Sequence, residues 1–152
     1  LGMLPWNQVK PVAERLAALG ISLMSSAPAD CAVPPFLALR QVGVNMCLGS
    51  DGIRDAWSPM GNGDMLERAM LLAFRFDLNK DDELTAAFDA ATVNGARALG
   101  IDHYGLELGR PADFLLMPVQ TLGEAVVVRP VRQVYRQGQL IACDGRLLDS
   151  RL

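Results

Sequence analysis

The sequence contains few of the side chains that build most metal and redox sites. Its 152 residues include one histidine and three cysteines. Cys31, Cys47 and Cys143 are odd in number and far apart, so they match neither a disulfide framework nor a zinc ribbon. His103, in the segment GIDHYG, is expected to be solvated or packed, because one histidine cannot build a three-ligand zinc site. Unpaired thiols suit a reducing compartment, so we expect a cytoplasmic protein.

Excess positive charge and long apolar runs are also absent from the sequence. A net charge of −3 and a pI near 5.1 argue against nucleic acid or an anionic membrane as partner. No apolar run reaches the roughly 18 residues of a membrane span, so we predict no membrane anchor. The hydrophobic content of 51% and mean hydropathy of +0.20 are nevertheless high. They indicate an apolar surface that packs on another domain or on a second copy in a homo-oligomer.

Helices and strands alternate in the first fifty residues. Residues 7–19 place apolar side chains on one helical face, and the pattern closes at Gly20. The segments ISLMSS (21–26) and VNMCLGS (44–50) predict two short buried strands, with a helix from Phe36 between them. Strands that are apolar on both faces and alternate with helices are typical of parallel sheets. We therefore predict an α/β fold in which these two strands are adjacent and parallel.

The second half of the chain changes from helices to strands. Residues 66–76 predict a helix, and residues 79–100 predict a helix that breaks near Thr92 before a last short helix. Further on, PADFLLMPV, AVVVRPVRQVYRQG and QLIACDGRLL predict three or four strands, with RQGQ and CDGR as hairpin turns. This change predicts two domains, residues 1–104 and a small β-sheet subdomain of residues 105–152.

Asp51 follows the second predicted strand, in the stretch VNMCLGSDGIRDAW. Burying an ionised carboxylate costs several kcal/mol unless a cation or hydrogen bonds meet it. At the end of a strand in a βα-barrel, such a residue can bind a divalent metal and take a proton from an activated water. The alternative is an aspartate that caps the next turn through backbone N–H groups, and spacing alone favours this simpler role.

The loop after Asp51 offers further candidates. Trp57 could form an aromatic wall for a planar substrate, although loop tryptophans more often pack on a neighbouring helix. Asp55 is predicted to fix the loop, with Arg54 as its partner. The segment GNGDM (61–65) is not a phosphate loop, because it does not follow a strand and lacks the Lys-Ser/Thr end of that motif.

The stretch GVNMCLGSDGIRDAWSPMGNGDMLERA, with TVNGARALGI and GLELGRPADFLLM, resembles the cytosine deaminase-like members of the metal-dependent amidohydrolase superfamily. In that family a barrel strand ends in an aspartate, and a tryptophan precedes a Gly-Asn-Gly-Asp-Met run. The resemblance covers nearly the whole chain. It implies the last two strands and helices of a (β/α)8 TIM-type barrel, followed by a small C-terminal β-subdomain. It also implies a fragment, the C-terminal portion of a longer protein, and the start at Leu1 supports that expectation.

The resemblance further implies a chemistry. The full-length enzyme would deaminate cytosine or a related N-heterocycle, using a water activated by one divalent metal ion, Fe or Zn. Asp51 would be the metal-associated catalytic acid that activates the water and moves its proton, and Trp57 would pack against the substrate ring. Gly52 departs from the family pattern, which usually has Asp or Asn there, so a roomier pocket is expected.

Two other functions stay open at this point. One is an aminohydrolase that acts on N-alkyl-ammelide-type triazines. The other is a non-catalytic fragment or assembly partner, because the family's metal-binding histidines lie outside these 152 residues. We therefore expect this chain alone to be inactive and to bind no metal, and we expect its main partner to be the missing N-terminal half of the barrel.

Overall fold

The computed structural model describes residues 1–28 and 31–148. The first part of the chain contains helix α1 (Trp6–Ala18), strand β1 (Leu23–Ser25), helix α2 (Phe36–Gln41), strand β2 (Met46–Leu48) and helices α3 (Met65–Arg75), α4 (Asp81–Ala91) and α5 (Val93–Ala98). The second part contains strand β3 (Phe114–Leu116), helix α6 (Leu122–Val128) and strands β4 (Gln133–Arg136), β5 (Gln139–Cys143) and β6 (Arg146–Leu147). None of the helices in these ranges is long and apolar enough to cross a membrane.

Strands β1 and β2 form a two-stranded parallel sheet, as the sequence predicts. Met24 pairs with Cys47 at the centre of the register. All three residues of β2 are buried, which explains the apolar character of this strand on both faces. Parallel strands end at the same edge, so the loops after β1 and after β2 emerge side by side. This α/β arrangement confirms the predicted fold class.

The hydrophobic core lies between the sheet and the helices that cover it. Its largest fully buried side chains come from four helices: Phe36, Leu39, Leu72, Val9 and Val126. Helix α4 contributes small buried residues, Ala86, Ala87 and Ala90, which let it pack closely on its neighbours. The core therefore joins α6, which follows the first strand of the second sheet, to the α/β part of the chain.

The predicted helix break near Thr92 is present, and it allows α5 to pack against β2. Thr92 has φ −131° and ψ −99°, so α4 stops there and α5 starts again at Val93. The side chain of Asn94 donates to the carbonyl of Met46 at 3.0 Å, and Asn45 donates to the carbonyl of Asn94 at 3.0 Å. These two amides hold α5 against β2.

Strands β3 to β6 form a separate antiparallel sheet in the order β3-β4-β5-β6. Both predicted hairpin turns are confirmed. Gln137 and Gly138 have φ of +49° and +77°, and Asp144 and Gly145 have φ of +50° and +77°. Two successive residues with positive φ are the mark of a type I′ turn, which suits the twist of the strands.

One strand prediction is wrong. The segment AVVVRPVRQVYRQG forms β4 only in its second half, and its first three valines (126–128) belong to α6. Thr121 starts this helix by accepting a hydrogen bond from the Glu124 N–H at 3.0 Å, while the Glu124 carboxylate accepts one from the Gln120 N–H at 2.8 Å. Burial of Ala125 and Val126 outweighs the strand preference of β-branched residues. The division between residues 104 and 105 stays a prediction.

Candidate active site

The candidate site lies where the loops after β1 and β2 meet. Ser25 ends one strand and Ser26 follows it, Gly49 and Asp51 follow the other strand, and all four border a cleft of about 290 Å³. Met24, Pro28 and Cys31 complete much of its wall. The cleft is thus at the carboxyl edge of the parallel sheet, where functional residues of βα folds collect.

Asp51 is exposed and held in a defined orientation. Its backbone is in the left-handed region, with φ +60°. The Oδ2 atom accepts a hydrogen bond from the Ser26 hydroxyl at 3.1 Å, and Oδ1 accepts one from the Gly52 N–H at 3.0 Å. Both the capping role and an oriented carboxylate are therefore present in this geometry. Exposure also removes the cost of a buried charge that the sequence suggested.

Sequence reasoning missed the support behind Asp51. Arg68 of α3 donates to the carbonyl of Ser26 at 3.2 Å. One face of the same helix also carries Arg75, whose guanidinium donates to the carbonyls of Pro28 and Cys31. The spacing of seven residues between the arginines was a signal of a shared face, but nothing local identified the loop that they contact. Two arginines of α3 therefore brace the wall of the cleft.

Asp55 fixes the loop, as predicted, but not through Arg54. Its Oδ1 atom accepts hydrogen bonds from the N–H groups of Trp57 at 2.9 Å and Ser58 at 3.0 Å. No ion pair involves Arg54 within the described part of the chain. Its backbone N–H instead donates to the carbonyl of Met60 at 2.8 Å. Local backbone donors lie closer to the carboxylate than a flexible arginine head group does.

Trp57 lies near the tip of this loop with 92% of its surface exposed. The common alternative for a loop tryptophan, packing on a neighbouring helix, is therefore not observed. The extra room expected at Gly52 is filled, because a Cβ there would lie 1.8 Å from Oδ2 of Asp55. A role for Trp57 in substrate binding stays a prediction.

Two ion pairs connect the far end of the loop to the segment between α6 and β4. Asp64 caps α3 by accepting from the N–H groups of Leu66 and Glu67, and its other oxygen pairs with Arg132. Glu67 pairs with Arg129 at 2.7 Å. Partial burial raises the pKa of the Asp64 carboxyl, but Arg132 and the two backbone N–H groups outweigh it and lower the pKa overall.

The residues of the cleft fit one ligand of a divalent metal but not a complete site. Asp51 offers an exposed carboxylate, the donor type that such ions accept. Within residues 1–28 and 31–148, no three His, Cys, Asp or Glu side chains lie close enough to hold a metal. His103 is exposed, and its Nδ1 atom lies 3.2 Å from Nη1 of Arg110. Burial raises the pKa of the Cys47 thiol, which disfavours the thiolate that a metal would bind. Further ligands would have to come from outside the described residues.

Comparison with known proteins identifies the relatives of this chain. Residues 1–142 match the Amidohydrolase family. The chain belongs to that family. A curated amidohydrolase relative is N-isopropylammelide isopropyl amidohydrolase of Pseudomonas sp. (strain ADP), which is 35% identical over 112 residues. That alignment covers 72% of this amidohydrolase chain and 28% of the relative.

Two solved amidohydrolase structures resemble nearly the whole chain. N-isopropylammelide isopropylaminohydrolase from Burkholderia multivorans ATCC 17616 is 44% identical with a TM-score of 0.92, and the match covers 97% of this chain and 38% of that one. The 5-methylcytosine deaminase from Klebsiella pneumoniae, liganded with 5-fluorocytosine, is 27% identical with a TM-score of 0.82. That match covers 99% of this chain and 40% of the deaminase chain.

These matches confirm the resemblance found in the sequence. The amidohydrolase chain corresponds to a C-terminal portion of superfamily members and spans well under half the length of these relatives. Members of the family are metal-dependent hydrolases, and the relatives named above act on C–N bonds. Whether β1 and β2 are the last two strands of a (β/α)8 barrel stays a prediction.

Proposed function

We propose that this chain forms part of the active site of a metal-dependent amidohydrolase. The reaction is hydrolysis of the bond between a ring carbon of a nitrogen heterocycle and an exocyclic amine. The observation that carries this proposal is the position of Asp51, an exposed carboxylate oriented by Ser26 at the carboxyl edge of the parallel strands. Membership of the amidohydrolase family supports it.

Asp51 would hold the divalent metal ion, Fe or Zn, together with ligands from outside the described residues. When bound, the ion supplies Lewis acidity that lowers the pKa of a water molecule. The carboxylate of Asp51 accepts the proton of the attacking water as the new C–O bond forms at the ring carbon. Asp51 then returns that proton to the exocyclic nitrogen, the C–N bond breaks, and a neutral amine or ammonia leaves.

The substrate that we propose first is an N-alkylammelide-type triazine, which would release an alkylamine. Support comes from the two N-isopropylammelide enzymes, since the solved one is more similar to this chain than the cytosine-type enzyme in both identity and TM-score. A cytosine-type substrate is the second candidate, because the Klebsiella deaminase structure also covers almost the whole chain.

A comparison of two substrates tests this order. Active, metal-loaded enzyme should release isopropylamine from N-isopropylammelide with a higher kcat/KM than it releases ammonia from cytosine. The reverse order would favour the cytosine-type function. Turnover of neither compound, in a preparation that holds one equivalent of metal, would contradict both candidates.

The chain of 152 residues by itself should not hold the metal. Asp51 is the one carboxylate donor in the cleft among the described residues, and one carboxylate binds a divalent ion weakly in water. We expect less than one equivalent of zinc or iron after dialysis, measured by elemental analysis, and no amine release. One tightly bound equivalent would contradict this prediction.

Replacing Trp57 by alanine should weaken substrate binding more than it slows the chemical step. The exposed indole offers a flat apolar face, and stacking on an aromatic ring contributes about 1 kcal/mol or more. We expect KM to rise roughly tenfold with kcat little changed, because stacking stabilises ground state and transition state alike. Steady-state kinetics on the better substrate measures this. A Trp57→Phe variant should retain most of the affinity, and an unchanged KM in Trp57→Ala would contradict the proposed contact.

A further inference from the structure

The loop that carries Trp57 closes tightly on itself. The Arg54 N–H donates to the carbonyl of Met60 at 2.8 Å, which joins the two sides of the loop. The end of the loop passes so close to its beginning that a Cβ at Gly61 would lie 2.4 Å from the carbonyl oxygen of Gly52. Gly61 also has φ +96°, a conformation that only glycine adopts readily. Glycine is therefore required where the loop crosses itself.

The carboxylate of Asp55 folds back into the space beside Gly52. A Cβ on Gly52 would lie 1.8 Å from Oδ2 and 2.7 Å from Cγ of Asp55, so the Asp55 side chain would have to move. In this position Oδ1 accepts hydrogen bonds from the N–H groups of both Trp57 and Ser58. A side chain at residue 52 would thus displace the Asp55 carboxylate from its present position beside the N–H groups of Trp57 and Ser58.

We propose that Asp55 is a positioning residue that holds Trp57 ready for the substrate, and that Gly52 provides the space that Asp55 needs. Arg54 supports this inference, because its φ of +52° is unusual for a non-glycine residue and persists only when surrounding bonds impose it. The inference deepens the proposed function, on which its substrate-binding part rests. Ordering the loop before the substrate arrives lowers the entropy lost on binding.

Hydrogen exchange tests the loop without reference to activity. In the complete enzyme, Asp55→Ala and Gly52→Ala should each speed exchange of the Trp57 and Ser58 amides about tenfold, read from peptides that span 51–64 by mass spectrometry at short labelling times. Asp55→Asn should exchange like the wild type, because its amide oxygen can accept the same two bonds. Asp82→Ala, the same change at an exposed position of α4, is the control and should leave the loop peptides unchanged. Unchanged exchange in Asp55→Ala would overturn the proposal.

Kinetics then tests the link to the substrate. Asp55→Ala and Gly52→Ala should each raise KM on the order of tenfold with a smaller change in kcat, and Asp55→Asn should restore the wild-type KM. The double variant should be no worse than the more affected single variant, because Gly52→Ala acts by displacing Asp55. Additive effects would overturn the role of Gly52.

The role of Trp57 itself separates this inference from the proposed function. If Trp57→Ala raises KM and Asp55→Ala does not, the positioning role of Asp55 is overturned. If neither variant changes KM while exchange still accelerates in Asp55→Ala, the substrate contact in the proposed function fails, and the substrate-binding part of this inference fails with it. The hydrogen bonds from the Trp57 and Ser58 N–H groups to Asp55 would then be supported on their own.

Discussion

Asp51→Asn is expected to lower kcat of the active enzyme at least a hundredfold while leaving the fold and most of the substrate affinity intact. Asparagine has nearly the same size and can still accept the hydrogen bonds from Ser26 and Gly52. It lacks the negative charge that would attract the metal and accept the proton of the attacking water. General-base catalysis typically contributes roughly a hundred- to ten-thousand-fold, which sets the size of the loss.

Asp77→Asn is the matched control for this experiment. Asp77 is also exposed and has φ +52°, close to the φ of +60° at Asp51, so the same chemical change meets a similar backbone. Asp77 lies two residues after the end of α3, outside the cleft, and the kcat of Asp77→Asn should match that of the wild type. A normal kcat in Asp51→Asn would assign Asp51 the simpler role of a turn cap.

Asp64→Ala is expected to lower the free energy of unfolding by about 2 kcal/mol. The substitution removes the N-cap of α3, which typically contributes about 1 kcal/mol. It also leaves Arg132 without its carboxylate partner, at a cost of roughly another 1 kcal/mol for a partly exposed pair. Chemical denaturation of wild type and variant at neutral pH measures the difference.

Asp64→Asn separates the two contributions, and its pH dependence identifies the charge. Asparagine is a good N-cap, so this variant should lose only the part due to Arg132. Because the pKa of Asp64 is lowered in the folded protein, its negative charge stabilises the fold when the pH is above the pKa of about 3.9 in the unfolded chain. This stabilisation is lost as the pH falls through the lower folded pKa. The wild type and Asp64→Asn should therefore differ at pH 6 and converge in acid; a constant difference would contradict the ion pair.

The two ion pairs also show how the loop that carries Trp57 is connected to the second half of the chain. Arg129 and Arg132 lie between α6 and β4, and they hold the first turn of α3, directly after the loop that carries Trp57. That loop is thus fixed at its start by β2 and at its end by α3. Asp64 and Glu67 thus connect the end of this loop to the segment between α6 and β4.

Local patterns predicted the elements whose stability depends on near neighbours in the sequence. The apolar run before Asp51 identified β2, and the turns at RQGQ and CDGR follow from backbone preferences of Gln-Gly and Asp-Gly pairs. The loop-fixing role of Asp55 was also predictable, because its carboxylate accepts hydrogen bonds from backbone N–H groups only two and three residues later. Resemblance to known amidohydrolases then assigned Asp51 and Trp57 roles that spacing alone did not favour.

The sequence by itself therefore determined the fold class, the parallel pair and the position of Asp51 at the end of a strand. Tertiary structure decided the rest. The three valines of α6 are helical because the burial of Val126 and its neighbour Ala125 outweighs the strand preference of β-branched residues. The Ser26–Asp51 hydrogen bond joins residues 25 apart, and the Asp64–Arg132 pair joins residues 68 apart. No local propensity encodes such contacts, because they form only when packing brings distant segments together.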